Sequence, residues 1–231
     1  MGSTDYSDND NAITSGYPRF CAGIAQFQQA IPVCRLSPNQ VSQVLKRVLD
    51  THPEFFWFDG RWMLSGAGEV AAAVPQYLLS SEQAAVAMNS IDATSNRLLA
   101  RARERQLDPF ETAKFFFEWL LSNAAYGSGQ FAGQTIYDAL IAKEAVCKGL
   151  SKAYQFLLQK AGIPVGLAEG TIDGKTKHLW NIVDMNAMQF NVDVSMGYDC
   201  FSFLFHGKDK SNPYRCFMIS DDQLFHTHRR F

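Results

Sequence analysis

The sequence predicts an α+β fold, in which helices come first and an antiparallel sheet follows. Apolar residues recur at helical spacing up to about residue 161, and after Pro164 the pattern changes to that of short strands. Neither an internal repeat nor a low-complexity segment interrupts this order. The 231 residues are enough for one domain with its own hydrophobic core.

The N-terminal part begins with a polar stretch. Residues 1–16 contain Ser, Thr, Asp, Asn and Gly with little to bury, and we expect a disordered tail there. Ser37 and Pro38 then predict the start of a helix, because serine is a good N-cap and proline suits the first turn. The range 55–62, a strand and a return strand joined by an Asp-Gly turn, and a further strand over 69–78 predict a small β patch.

Three more elements are expected before the best-defined helix. An Ala- and Leu-rich helix covers 81–106, and Asp108 with Glu111 forms a capping signature for the helix that follows. The glycine-containing segment YGSGQFAG, residues 126–133, is typical of a flexible connector. A short helix is expected after it, over 134–142.

The best-defined helix begins at or just after Cys147. Its apolar face consists of residues at offsets of 0, 4, 7, 8 and 11, namely Leu150, Tyr154, Leu157, Leu158 and Ala161. Gly162 and Pro164 end it. Strands are then predicted at 164–172, 177–184 and 188–195, with a last candidate at 214–219.

Composition and motifs exclude several classes of function. A net charge of −2 gives no reason to expect nucleic acid or an anionic membrane as a partner. No apolar run is long enough for a membrane helix, and the polar N-terminus favours a cytoplasmic protein, or a secreted one if a signal peptide has been removed. Gly170 to Thr176 is similar to part of a phosphate-binding loop but leads into a strand, so we interpret Asp173-Gly174 as a hairpin turn.

The cysteines and histidines do not predict a metal site. The five cysteines are scattered without CxxC pairs, which favours reduced thiols. His206, His226 and His228 have no cysteine or carboxylate at ligand spacing beside them. We therefore expect neither a metal ion nor a cofactor.

Cys147 is the candidate nucleophile. A single cysteine is more often a small buried hydrophobic residue. At a helix start, however, the helix dipole and unpaired backbone N–H groups favour the thiolate, which is the attacking species. The alternatives at this stage are a packing role and an activated thiol.

His178 and Asp193 supply the groups that an activated thiol needs. If Met185-Asn186 forms a two-residue hairpin loop, His178 and Asp193 lie directly opposite each other, with Cβ atoms about 5 Å apart. The sequence also allows a longer hairpin loop with the same cross-strand pairing further from the turn. The carboxylate would then orient an imidazole that takes and returns the thiol proton.

The alternation of the two strands supports this pairing. One face would contain apolar residues, namely Leu179, Val183, Met188, Phe190 and Val192. The other face would contain polar and aromatic ones, namely His178, Trp180, Gln189, Asn191 and Asp193. A slip of one residue would mix the two faces.

Several runs resemble the bacterial transglutaminase-like superfamily. They are QTIYDAL from Gln134, AVCKGLSKAYQFLL around Cys147, HLWNIV from His178 and VDVS around Asp193. The resemblance, strongest over about 108–199, implies a papain-like fold with a nucleophile helix packed on an antiparallel sheet. We expect a single transglutaminase-like domain over 17–231, with a mostly helical lobe over about 37–125 and a catalytic core over about 126–231.

The resemblance also implies site residues and a reaction class. Cys147 matches the nucleophile, His178 the general base and acid, and Asp193 the orienting carboxylate. Gln134 matches a position that helps to bind the oxyanion, with a surface or capping role as the alternative, and Trp180 either lines the substrate pocket or fills the core.

The implied chemistry forms an acyl-enzyme from a peptide or protein substrate. We expect hydrolysis, as in a cysteine peptidase or amidase. Amine transfer, as in a protein-glutamine γ-glutamyltransferase, and a non-catalytic binding module that retains the triad are the alternatives.

Overall fold

The structure, a computed structural model, describes residues 4–67, 71–204 and 211–231. The helices in these ranges are α1 Thr4–Ala25, α2 Pro38–Thr51, α3 Ser81–Glu104, α4 Pro109–Asn123, α5 Cys147–Lys160 and α6 Asp221–Leu224. The strands are β1 Ile31–Pro32, β2 Phe58–Ser65, β3 Ala72–Tyr77, β4 Ala125–Tyr126, β5 Glu144–Ala145, β6 Val165–Ile172, β7 Thr176–Met185, β8 Met188–Val192 and β9 His228–Arg230. The order confirms the predicted α+β class.

The chain divides into two compact units, residues 1–86 and 87–231. This boundary lies earlier in the chain than the lobe boundary expected near residue 125. Among the described helices, none combines the length and the apolar character that crossing a membrane requires.

The first unit contains α1, α2 and a three-stranded antiparallel sheet in the order β1-β3-β2. Helix α2 begins as the sequence predicts, because the Ser37 side chain accepts from the Gln40 backbone N–H and the Gln40 side chain accepts from the Ser37 N–H. Phe20 and Ile24 of α1 are fully buried. Burial of these two residues holds α1 in the unit.

Two features of the first unit differ from expectation. Helix α1 begins at Thr4, within the range expected as a disordered tail, and residues 1–3 lie outside the described ones. The Asp59-Gly60 pair is not a hairpin turn but lies in a bulge within β2, where the pairing with β3 shifts register. Gly60 has a φ of 98°, which glycine adopts readily.

The second unit is built on a four-stranded antiparallel sheet in the order β8-β7-β6-β9. Helix α5 packs on β6 and β7, and α4 packs against α5. Helix α4 starts with the predicted capping box of Asp108 and Glu111. The short strands β4 and β5 form a parallel pair immediately before α5.

The hairpin of β7 and β8 differs in register from the prediction. Its loop is Asn186-Ala187, with φ values of 53° and 61°, and Met185 pairs with Met188. Positive φ at both loop residues is the requirement of a type I′ turn. The loop moves by one residue, which shifts each cross-strand partner by two residues. Because side chains alternate with period two, both predicted faces survive.

The C-terminal region also differs from the prediction. The candidate strand at 214–219 contributes a single antiparallel bridge, between Ile219 and Asn191. The edge strand is instead β9, whose residues pair with β6, with Ile172 opposite His228 and Gly170 opposite Arg230. Three residues at the chain end carry too little periodicity to indicate a strand.

Candidate active site

Cys147 is the first residue of α5, as the sequence predicts. The preceding residue, Val146, is extended and provides no side-chain cap for the helix. The positive end of the helix dipole therefore faces the region of the thiol, and it stabilises a negative charge there. Cys147 is partly exposed, whereas Cys34 and Cys200 are exposed and Cys216 is buried.

The segment YGSGQFAG is a packed loop beside the start of α5 rather than a free connector. The Gly133 carbonyl accepts from the Val146 N–H at 2.9 Å. A Cβ on Gly149, in the first turn of α5, would lie 2.3 Å from the Gly133 carbonyl oxygen. The close approach of the loop to the helix therefore requires glycine at position 149.

The buried Asp138 carboxylate fixes the same loop. It accepts hydrogen bonds from the backbone N–H groups of Phe131 and Thr135, at 2.8 and 3.1 Å, and from the Thr135 hydroxyl at 2.8 Å. Asp138 begins a short π-helical segment, Asp138–Ala142, within the region where the sequence predicts a short helix. These bonds hold the chain that leads into Cys147.

The structure brings Cys147, His178 and Asp193 together. His178 lies on β7, is 5% exposed, and its Nε2 atom is 2.5 Å from Oδ2 of Asp193. The Cys147 side chain also interacts with the His178 ring and contributes to the raised pKa of His178. Because Nε2 faces the carboxylate, Nδ1 is the ring nitrogen left for the thiol.

Asp193 reaches His178 from a different position than predicted. Strand β8 ends at Val192, and in the observed register Asp193 continues opposite Trp180, so that His178 is its diagonal neighbour on the same face. The Asp193 N–H donates to the Cys216 carbonyl at 2.8 Å. This bond fixes the backbone just beyond the strand.

The charges of His178 and Asp193 depend on each other. Burial alone would lower the pKa of His178, but the charge of Asp193, with smaller contributions from its hydrogen bonds to Asp193 and Cys147, raises this pKa to about 10. Burial alone would raise the pKa of Asp193, but the positive charge of His178 and the hydrogen bonds from His178 and His228 lower it. The arrangement favours an imidazolium beside a carboxylate.

Two further partners of Asp193 were missed by the sequence interpretation. Ser195 donates to Oδ1 from its backbone N–H at 2.9 Å and from its hydroxyl at 2.6 Å. A hydroxyl residue two positions after an aspartate is a known turn signal and could have indicated this contact. His228 approaches Oδ2 from β9, at 3.0 Å, and no local pattern indicates that contact.

Tyr126 was also missed, although it ends β4 close to the thiol. Its phenol group lies close enough to interact with Cys147. Burial, together with the charges of Cys147 and Asp193, raises the pKa of Tyr126. Its ring contacts Phe201 edge-on, with centroids 4.9 Å apart.

The contacts of Trp180 and Gln134 do not show the binding roles predicted for these two residues. Trp180 is fully buried, donates to Asn191 Oδ1 at 3.1 Å and stacks on His178, which matches the core alternative rather than a pocket wall. Gln134 is exposed, and its Oε1 accepts from Lys148 Nζ at 3.2 Å. The oxyanion role of Gln134 stays a prediction.

His178, Asp193 and His228 are the described residues whose ligand atoms are grouped closely enough to hold a metal ion, within 4.8 Å of one another. The separations of Asp193 Oδ2 from the two Nε2 atoms, 2.5 and 3.0 Å, are those of hydrogen bonds. Two ligand atoms on a tetrahedral zinc ion lie about 3.3 Å apart. We therefore interpret the group as a hydrogen-bonded network.

Comparison with known proteins gives a family match for part of the chain. Residues 96–200 match the model of the transglutaminase-like superfamily, and this range contains Cys147, His178 and Asp193. The resemblance inferred from the sequence motifs is confirmed over that range. None of the curated proteins matches the chain significantly.

Three solved structures are similar at low identity. A TGase is 12% identical with a TM-score of 0.42, over 69% of this chain and 48% of that one. A candidate cysteine protease from Cytophaga hutchinsonii is 16% identical with a TM-score of 0.36, over 54% and 51%. A candidate protease from Parabacteroides distasonis is 11% identical with a TM-score of 0.35, over 58% and 39%. The chain spans about half of the length of these proteins, or less.

Proposed function

We propose that this chain, which carries a transglutaminase-like superfamily region over residues 96–200, hydrolyses amide bonds of a peptide or protein through an acyl-enzyme on Cys147. The observation that carries the proposal is the buried His178–Asp193 pair, whose imidazole interacts with Cys147 at the start of α5. Each of the three groups has the chemistry that one step of acyl transfer requires.

The proposed first step forms the acyl-enzyme. Cys147 Sγ, as a thiolate paired with the His178 imidazolium, attacks the carbonyl carbon, and a C–S bond forms. Asp193 accepts from Nε2–H and so holds the ring with its protonated Nδ1 towards Cys147 and the leaving group. His178 then donates the Nδ1 proton to the leaving amine as the C–N bond breaks.

The second step releases the product. Water attacks the thioester carbonyl while His178 Nδ1 takes one proton from it, and the C–S bond breaks to give a carboxylic acid and the Cys147 thiolate beside the regenerated imidazolium. An amine in place of water would give a new amide instead. We propose water as the acceptor, and amine transfer is a separate outcome of the test.

In both steps the attacked carbonyl oxygen becomes negatively charged, and this oxyanion requires hydrogen-bond donors. The backbone N–H of Cys147, at the open end of α5, is one candidate, and the Gln134 side-chain amide is the second.

The test uses p-nitrophenyl acetate as an acyl donor and unfolded casein as a protein substrate. We expect a burst of nitrophenolate with one acetyl group on Cys147, and casein cleavage or ammonia release without incorporation of monodansylcadaverine. Cys147→Ala should abolish all of these signals. Amine incorporation would identify a transferase, and a reactive Cys147 that forms no acyl-enzyme would support the binding module.

A further inference from the structure

The Asp193 carboxylate is shared by two histidines. Oδ2 lies 2.5 Å from Nε2 of His178 and 3.0 Å from Nε2 of His228. The side chains of all three residues are buried, with 2% exposure for His178 and none for Asp193 and His228. His228 lies outside residues 96–200, the range that matches the family model.

The sheet brings His228 to this position. Strand β9 pairs with β6, and His228 lies opposite Ile172. A Cβ on Gly170, two residues earlier in β6, would lie 1.9 Å from the Arg229 carbonyl oxygen and 2.8 Å from the Trp180 ring. The absence of a side chain at Gly170 therefore permits the close approach of β9 and of His228.

The contacts of His228 assign the position of its proton. A carboxylate oxygen can only accept, so His228 Nε2 carries the proton that is donated to Asp193. The Thr227 hydroxyl lies 2.7 Å from His228 Nδ1 and can donate to its lone pair. The same hydroxyl lies 3.3 Å from the Leu224 carbonyl oxygen, and the shorter contact is the stronger competitor for its proton.

Asp193 is consequently held on both oxygens. Oδ2 accepts from the two imidazoles, and Oδ1 accepts from the N–H and hydroxyl of Ser195. With these donors in place the carboxylate has no freedom to rotate away from His178. Trp180 packs edge-on against His228, with centroids 5.0 Å apart, and thereby fixes the second imidazole.

We propose that His228 is a positioning residue that acts through Asp193 and makes β9 part of the active site. Its Nε2–H fixes the carboxylate, the carboxylate fixes the ring of His178, and Nδ1 of His178 is thereby aimed at Cys147. This inference rests on the proposed function, because it concerns the reactivity of the same thiol. Loss of the His228 donor would let the imidazole turn away from Cys147, and small misplacements of catalytic groups are costly.

The test compares His228→Leu, which removes the donor, with His228→Gln, which keeps an N–H near the position of Nε2. His226→Leu, an exposed histidine in the same segment, is the matched control. The readouts are the rate of Cys147 alkylation by iodoacetamide, followed site by site by mass spectrometry, and kcat and KM for p-nitrophenyl acetate.

We expect His228→Leu to lower the alkylation rate and kcat about tenfold or more with little change in KM. His228→Gln should keep most of the alkylation rate and most of kcat, and His226→Leu should match the wild-type protein. Wild-type reactivity in a folded His228→Leu variant would overturn the proposal. Equal loss in the Gln and Leu variants would also overturn it, since ring packing rather than the donated hydrogen bond would then be responsible.

A milder variant covers the case in which His228→Leu does not fold. Thr227→Val removes the hydroxyl that contacts His228 Nδ1 at 2.7 Å, and we expect it to slow Cys147 alkylation severalfold. An unchanged rate in this variant would contradict the proposal. A wild-type Cys147 that reacts no faster than the other thiols would instead refute the proposed function itself, before any His228 variant is compared.

Discussion

The Nε2 atom of His178 lies 2.5 Å from Oδ2 of Asp193, and the exposed fractions of the two side chains are 2% and 0%. Breaking a buried pair of this kind by removing one partner is destabilising, because the other charge is left uncompensated. The size of that effect depends on pH, since the pKa of His178 is raised to about 10 and that of Asp193 is lowered.

Asp193→Asn should therefore lower the free energy of unfolding in a pH-dependent way. The pKa of His178 is raised in the folded protein, so its contribution to the free energy of unfolding is complete below its unfolded pKa of about 6.5. This contribution is lost as the pH rises through about 10. The contribution of Asp193, whose pKa is lowered, is complete above about pH 4 and is lost on acidification. We expect a loss of roughly 3 kcal/mol between pH 4 and 6.5 and a smaller loss at pH 10.

Urea unfolding at pH 6 and pH 10 measures this difference. Asp222→Asn, at an exposed position, should change stability little at either pH. An Asp193→Asn effect of the same size at both pH values would mean that the carboxylate does not pair with a charged imidazole.

Gly149→Ala should disturb the start of α5. The new Cβ would lie 2.3 Å from the Gly133 carbonyl oxygen, so the loop that precedes Cys147 would have to move. We expect a stability loss of about 1–3 kcal/mol and slower alkylation of Cys147. Gly166→Ala, where a Cβ meets nothing within 4 Å, is the control and should leave both unchanged. Wild-type stability in Gly149→Ala would show that the close approach is not required.

Gln134→Ala separates the oxyanion role from a surface role. Loss of an oxyanion donor lowers kcat about 100-fold without altering the reactivity of the thiol towards a simple alkylating agent. We therefore expect slower turnover of p-nitrophenyl acetate with an unchanged iodoacetamide rate. The Lys148→Ala variant, which removes the contact to Gln134 Oε1, should retain turnover. Normal turnover in Gln134→Ala would leave only the surface role.

Local signals predicted the elements that depend on neighbouring residues. The capping boxes at Ser37 and Asp108 and the start of α5 at Cys147 are formed by contacts within a few residues, and each was readable in the sequence. The faces of β7 and β8 were predictable because alternation with period two specifies them. The position of the loop between these strands was not predictable, because an Asn-Ala pair indicates a two-residue turn less clearly than Asn-Gly does.

Contacts between distant segments could not be predicted. Helix α1 extends from Thr4 to Ala25 and buries Phe20 and Ile24 near its C-terminal end. The contact of His228 with Asp193 spans 35 positions and depends on the pairing of β9 with β6, which no local pattern encodes. Cys147, His178 and Asp193 were identifiable because helix start, strand alternation and family motifs all pointed to them.

Site-resolved alkylation of the five cysteines tests the central claim most directly. Cys34 and Cys200 are more exposed than Cys147, so accessibility alone would make them react first with iodoacetamide at about pH 6. The proposed site predicts the opposite order, with Cys147 modified well ahead of the other four thiols, and it predicts that His178→Ala abolishes this preference while His226→Ala retains it. Alkylation in the order of exposure, or a preference for Cys147 that survives His178→Ala, would contradict the claim that Cys147 is an activated nucleophile.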